Sequence, residues 1–166
     1  TLCEPPHPRY KAILAAEKML LQSKHPAIVV RPSGLYGKDK YPLLDALLQQ
    51  KSHVCHKTRY SNRIHVTDCA RAIYHIMHLK DPEPLYLLSD ANPTPINQII
   101  AWLSSVTGKP IPEDRVDASE DVGDFRTHKR LSSSRLIETG FYFEYPSYKQ
   151  GFKQILLDMG LIHPEH

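Results

Sequence analysis

Helical spacing and short unbroken apolar runs take turns along this chain, and their alternation predicts its elements. Tyr10 to Gln22 is rich in strong helix formers, with Ile13, Ala16 and Leu20 on one face. The run Ala27-Ile28-Val29-Val30 follows, bounded by His25-Pro26 and by Pro32, Ser33 and Gly34. An unbroken, mostly β-branched run of this kind predicts a strand buried on both faces, as in a parallel sheet. Leu43 to Gln50 predicts a second helix through Leu44, Leu47 and Leu48. Ser52 to Tyr60 has no period and reads as a loop or short edge strand.

The second half continues in the same manner. Arg63 to Val66 predicts a short strand, with Thr67 or Asp68 capping a helix from Cys69 to about Leu79. Leu85 to Leu88 predicts another strand, and Thr94-Pro95 a cap and first-turn proline for a helix over Ile96 to Val106, ended by Gly108. Lys109 to Lys129 reads as a long surface connection. Ser132 to Ser134 start a short helix through Glu138, closed by Gly140, and Ser147-x-x-Gln150 fits a capping box for a last helix, Tyr148 to Met159. Helices alternating with single strands define the class as α/β.

Composition narrows the functional classes. With 166 residues, 41% apolar and 23% charged, the chain has ordinary globular content and length for a real core. A formal charge of +3, with basic and acidic residues interspersed, argues against a nucleic-acid partner. No apolar run approaches the roughly 20 residues of a membrane span, and no secretory signal is apparent at the N-terminus. Cys3, Cys55 and Cys69 are odd in number and lack CxxC spacing, which disfavours a disulfide framework and a structural zinc site and suits a reducing cytoplasm. The start at Thr1, with Pro5, Pro6 and Pro8 close behind, reads as a loop entered partway through a larger fold.

The candidate chemistry gathers after the first strand. In open α/β sheets ligands sit beyond the carboxyl ends of strands, which singles out Arg31, Ser33, Gly34, Tyr36 and Gly37. Arg31 suits either a structural carboxylate pair or a phosphate, and Gly34 either a turn with positive φ or the close approach of a cofactor. The seven glycines are dispersed and form no Gly-x-Gly-x-x-Gly, so a dinucleotide-binding half is not expected within this chain. His53-x-x-His56 and His75-x-x-His78 lack further ligands at sensible spacing, and no metal site is expected.

The order of segments is informative in itself. Ala15-Ala16-Glu17, then Val30-Arg31-Pro32-Ser33-Gly34-Leu35-Tyr36-Gly37, then the stretch Asn62 to Ile73 (NRIHVTDCARAI), then Tyr86-Leu87-Leu88-Ser89-Asp90, resembles the C-terminal half of extended short-chain dehydrogenases/reductases. These are the NAD-dependent epimerase/dehydratase family, nucleoside-diphosphate-sugar epimerases among them. The tail, with Lys129 to Ser132, Gly140-Phe141 and Tyr145 to Tyr148, resembles an atypical subgroup of that family. The resemblance implies the C-terminal part of a Rossmann-like parallel sheet with a small α/β substrate-binding subdomain. Residues 1–50 would carry the last helix-strand units of the Rossmann-like domain, and 51–166 mainly the substrate subdomain with a returning sheet strand.

What the resemblance implies for function is an oxidoreductase or isomerase acting on a small molecule, a nucleotide sugar among the options, in the cytoplasm and in a homodimer. NAD or NADP would be held mainly by residues N-terminal to this chain, with Ser33 and Gly34 bordering the cofactor and Tyr36 and Arg63 the substrate. A guanidinium suits a diphosphate because its fork meets two oxygens, although a solvated or ion-paired Arg63 is the alternative. In the family a tyrosine and a lysine four residues later do the acid/base work. Here that register holds Arg9 and Ile13, and Tyr10 is followed at the same distance by Leu14. Two other matches, Tyr36 to Lys40 and Tyr145 to Lys149, lie on a post-strand turn and across a helix start. Tyr10 and Tyr36 remain as acid/base candidates, with a non-catalytic ligand-sensing or partner-binding protein as the rival reading.

Overall fold

The computed structural model describes residues 7–51, 60–112 and 129–163. The expected loop at Ser52 to Tyr60 and the connection between Lys109 and Lys129 lie largely outside these residues. So do His53, His56, Cys3 and Cys55.

The chain opens with helix α1 (Pro8–Leu21), capped by His7, whose side chain accepts the amide of Arg9. Strand β1 (Val29–Pro32) follows. Strand β5 (Leu85–Leu88) pairs with it in parallel, Val29 opposite Leu85 and Pro32 opposite Leu88. A parallel pair needs a long crossover, and here the crossover carries most of the remaining elements. Among these are β2 (Gly34–Tyr36) and β4 (Arg63–His65), which form a second parallel pair. Helix α2 (Pro42–Leu48) lies between them in sequence, and helix α3 (Val66–Met77) leaves β4 without a loop. Two-residue strands β3 (Tyr60–Ser61) and β6 (Thr94–Pro95) pair antiparallel. Helices α4 (Ile96–Thr107), α5 (Ser134–Glu138) and α6 (Tyr148–Asp158) complete the chain.

Two apolar clusters hold these elements. One joins Leu44 and Leu47 of α2, Ile99, Ile100 and Leu103 of α4, and Phe152, Ile155 and Leu156 of α6, with Tyr36 at its edge. The other joins Ile64, Cys69, Ala72 and Ile76 to Tyr86 and Leu88 of β5, Leu136 of α5 and Phe141. The period of two along a strand explains the division. Ile64 enters the second cluster while its neighbours Arg63 and His65, equally buried, point to the other face of β4.

Several expectations change on folding. The run at 27–30 is not buried on both faces: Val29 is buried, whereas Ala27, Ile28 and Val30 are half-buried, because α1 buries no residue of its own against the strand. Gly34 does not make a turn but opens β2, and its φ is not positive; positive φ among the glycines falls at Gly108, Gly140 and Gly160. The cap of α3 is His65, whose Nδ1 accepts the Thr67 amide at 3.3 Å, so that Asp68 is freed for other partners. Thr94 does not cap α4; it lies in β6 and its hydroxyl donates to the Asn92 carbonyl at 2.9 Å. The capping box at Ser147 does not form either, since that hydroxyl donates to the Gln150 side chain instead of accepting a helix amide.

Candidate functional site

Three backbone hydrogen bonds draw the strand ends together. The Ser33 amide donates to the Leu88 carbonyl at 2.8 Å, the Gly34 amide to Asn62 at 3.1 Å, and the Asp90 amide to Arg63 at 2.6 Å. They tie the carboxyl ends of β1 and β5 to the start of β4, the region where ligands of parallel α/β sheets collect. The glycine at 34 follows from this closeness, because a Cβ there would lie 3.1 Å from the Asn62 carbonyl oxygen. Its amide is engaged within the protein, whereas the Ser33 hydroxyl has no partner among the described residues.

Below this junction sits a buried polar cluster. Arg63 is 4% exposed, and neither terminal nitrogen of its guanidinium has a hydrogen-bond partner among the described residues. Arg63 is therefore not solvated, and no hydrogen-bonded ion pair engages it among the described residues. Its guanidinium carbon lies 5.9 Å from the centroid of the Tyr148 ring on α6. Burial lowers the Arg63 pKa against the raising influence of Asp90, Tyr36 and Tyr148. A guanidinium stays charged even so, since its ordinary value lies so far above neutrality.

Asp90, directly after β5, is 1% exposed. One carboxylate oxygen accepts the Asn92 amide at 3.3 Å and the other has no partner among the described residues. Burial pushes its carboxyl up to about 7; Arg63 and the Asn92 amide oppose the rise and Asp68 adds to it. Desolvation thus outweighs attraction on both members of the pair, as expected where buried opposite charges lack good mutual hydrogen bonds.

Tyr36 ends β2 with its ring buried and its hydroxyl without a partner among the described residues. The hydroxyl abuts Gly151 on α6 so closely that a Cβ there would sit 2.1 Å from it. The ring packs at 5.0 Å on Phe152 and edge-on at 5.3 Å to His65. Burial, then the charge of Asp90, hold the phenol well above its usual range, with Arg63 acting in the opposite sense. This is the reverse of the lowered pKa that a phenolate base requires. Tyr10, on α1, is exposed, and its ring meets the His7 ring edge-on at 5.7 Å. Arg9 and Ile13, at the dyad register, are exposed on the same helix.

The remaining sequence candidates have structural partners. Arg31 forms a two-pronged ion pair with Glu17, tying β1 to α1. The ring of His65 stacks at 4.0 Å on Tyr145; burial lowers its pKa against Asp68 and Glu144. His75 bonds the Thr139 hydroxyl and His78 the Tyr74 carbonyl, and no cluster of metal-ligating residues occurs among the described residues. Asp68 is fully buried and accepts the amides of Glu144 at 2.9 Å and Tyr145 at 2.8 Å, and Arg71 at 2.8 Å. Asp90, Tyr148 and this anchoring role of Asp68 escaped sequence reasoning. The signal for Asp90 was present, since Ser89-Asp90 follows an apolar strand run just as Ser33-Gly34 does.

Known structures share this architecture. A Methylobacillus flagellatus protein named for the NAD-dependent epimerases/dehydratases superposes with a TM-score of 0.77 at 26% identity, over 96% of this chain and 56% of its own length. The dTDP-glucose 4,6-dehydratase of Bacillus anthracis, solved with NAD, gives 0.72 at 18% identity, over 96% and 54%. The UDP-glucose 4-epimerase of Thermotoga maritima, solved with UDP-glucose, gives 0.66 at 18% identity, over 90% and 52%. This chain therefore has part of the Rossmann-like epimerase/dehydratase fold and spans just over half the length of these proteins. No family model and no curated protein matches its sequence.

Proposed function

We propose that this chain is the substrate-side portion of an NAD(P)-dependent enzyme that epimerises or dehydrates a nucleotide sugar. Residues 1–50 contribute the last units of the cofactor domain and 51–166 the substrate subdomain. The nicotinamide cofactor is held mainly by sequence outside this chain, with Ser33 and Gly34 at its border and Tyr36 as a wall. The observation that carries the reading is Arg63, a buried permanent cation whose two terminal nitrogens have no partner among the described residues, beside the strand ends where this fold takes ligands. A guanidinium fork is suited to two oxygens of a diphosphate.

Calorimetric titration of the chain with UDP-glucose and with NAD tests both parts. UDP-glucose is expected to bind and to lose at least about tenfold in affinity on Arg63→Leu, as loss of one charge-assisted contact predicts. Equal affinity in the variant overturns the role of Arg63, and micromolar NAD binding overturns the placement of the cofactor site.

A second reading, a non-catalytic ligand-binding protein of the same fold, is favoured by Arg9 and Ile13 at the dyad register and by the protonated Tyr36. Tyr10→Phe and Tyr36→Phe, introduced in the full-length protein and assayed for nucleotide-sugar turnover with NAD(P), separate the two. Activity that survives both substitutions removes both tyrosines from acid/base work, and binding without turnover in the full-length parent supports the second reading.

A further inference from the structure

We infer that Asp90 is the proton-accepting counter-group of Arg63, so that an anion engaging Arg63 binds together with a proton taken up by Asp90. The inference rests on the proposed anion-binding role of Arg63 and adds to it a residue and a control.

The geometry is a closed set of groups that the protein leaves unsatisfied. Arg63, Asp90 and Tyr36 are each at most 4% exposed, and each has a polar atom without a partner among the described residues. They are held together by main chain, because the Asp90 amide donates to the Arg63 carbonyl, to which the buried Ser89 hydroxyl also donates at 3.4 Å. That junction fixes the two backbones side by side. Ser89 is clamped in turn by Ser133, whose hydroxyl donates to its carbonyl at 2.6 Å and faces its amide at 2.9 Å.

A buried cation fixed in this way has one negative group within its own cluster and space in its hydrogen-bond valence for another. An ionised Asp90 compensates the charge of Arg63 and competes with any incoming anion. A neutral Asp90 leaves the full charge to the ligand. The other groups acting on the pair are Tyr36 from β2, Asp68 from α3 and Tyr148 from α6. The two tyrosines are held above their ordinary range and stay neutral near pH 7, and Asp68 is anchored by two amides and Arg71. Asp90, whose carboxyl lies at about 7, is placed to exchange a proton near neutrality.

UDP-glucose is a suitable probe because its diphosphate diester does not titrate near neutrality. Calorimetry at about pH 7 in buffers of different ionisation enthalpy is expected to show uptake of about half a proton per UDP-glucose bound, and affinity falling toward about tenfold per pH unit above that. Asp90→Asn is expected to abolish the uptake, flatten the pH profile, and bind more tightly than the parent at about pH 8. The proton count is read on the unaltered protein and does not depend on the variant folding. Binding with no proton uptake in the parent, or with the same uptake in Asp90→Asn, overturns the role of Asp90 and leaves that of Arg63 standing. Binding that is absent, or unaffected by Arg63→Leu, overturns both.

Discussion

The Tyr36 hydroxyl and the Gly151 Cα illustrate how single atoms constrain this fold. A buried hydroxyl without a partner contributes a desolvation cost and no bond. Tyr36→Phe is therefore expected to be neutral or to stabilise by up to about 1 kcal/mol in urea unfolding. Gly151→Ala places a Cβ 2.1 Å from that hydroxyl and 2.7 Å from the ring, and is expected to destabilise by about 1–3 kcal/mol through overpacking. The double variant should recover part of the loss, because the nearest clash disappears while the ring contacts remain. A strictly additive double variant would show that the two positions do not press on each other. None of this was visible in the sequence, where Gly151 is a lone glycine within a helical period and Tyr36 a tempting acid/base candidate followed four residues later by lysine.

Among the elements, α3 shows where local reading succeeds and where it stops. Its apolar stripe of Cys69, Ala72 and Ile76 is legible from spacing alone. The same stripe includes Asp68, which a helix-start rule assigns to capping. In the folded chain its carboxylate instead receives two amides from the segment before α6, far away in sequence. Asp68→Ala leaves those amides without their acceptor and Arg71 without its buried partner, so a loss of about 3 kcal/mol is expected in urea unfolding. Asp68→Asn keeps an acceptor and should lose less. Equal stability of Asp68→Ala and the parent would show that the anchor contributes nothing. The cap itself fell to His65 because a strand that runs straight into a helix leaves its own last side chain nearest the free amides.

At the scale of the whole molecule, stability is unevenly spread. The helices α2, α4 and α6 share one core and α3 and α5 share another with β5, but α1 buries no residue. Its main polar tether to the sheet is the Arg31–Glu17 pair. Hydrogen exchange is expected to show weak protection across Pro8–Leu21 and strong protection in α6, with Arg31→Ala weakening α1 further and leaving α6 unchanged. Protection of α1 equal to that of α6 would contradict this division. The sequence signs of α1, its helix formers and terminal proline, describe propensity; they carry no information on what its apolar positions meet.

The amino-acid sequence by itself determined the order and type of the principal elements, since apolar period and punctuation by proline and glycine are local properties. It also singled out Ser33 and Gly34 as candidates for a ligand-facing position, because they follow an apolar strand run. Tertiary structure alone decided which polar groups converge. Arg63, Asp90, Tyr36 and Tyr148 come from β4, the end of β5, β2 and α6, and their burial and pKa directions arise only when those elements meet. Pairing of β1 with β5 across more than fifty residues is likewise set by packing of the segments between them. Such long-range closure leaves no periodic trace in the residues that it joins.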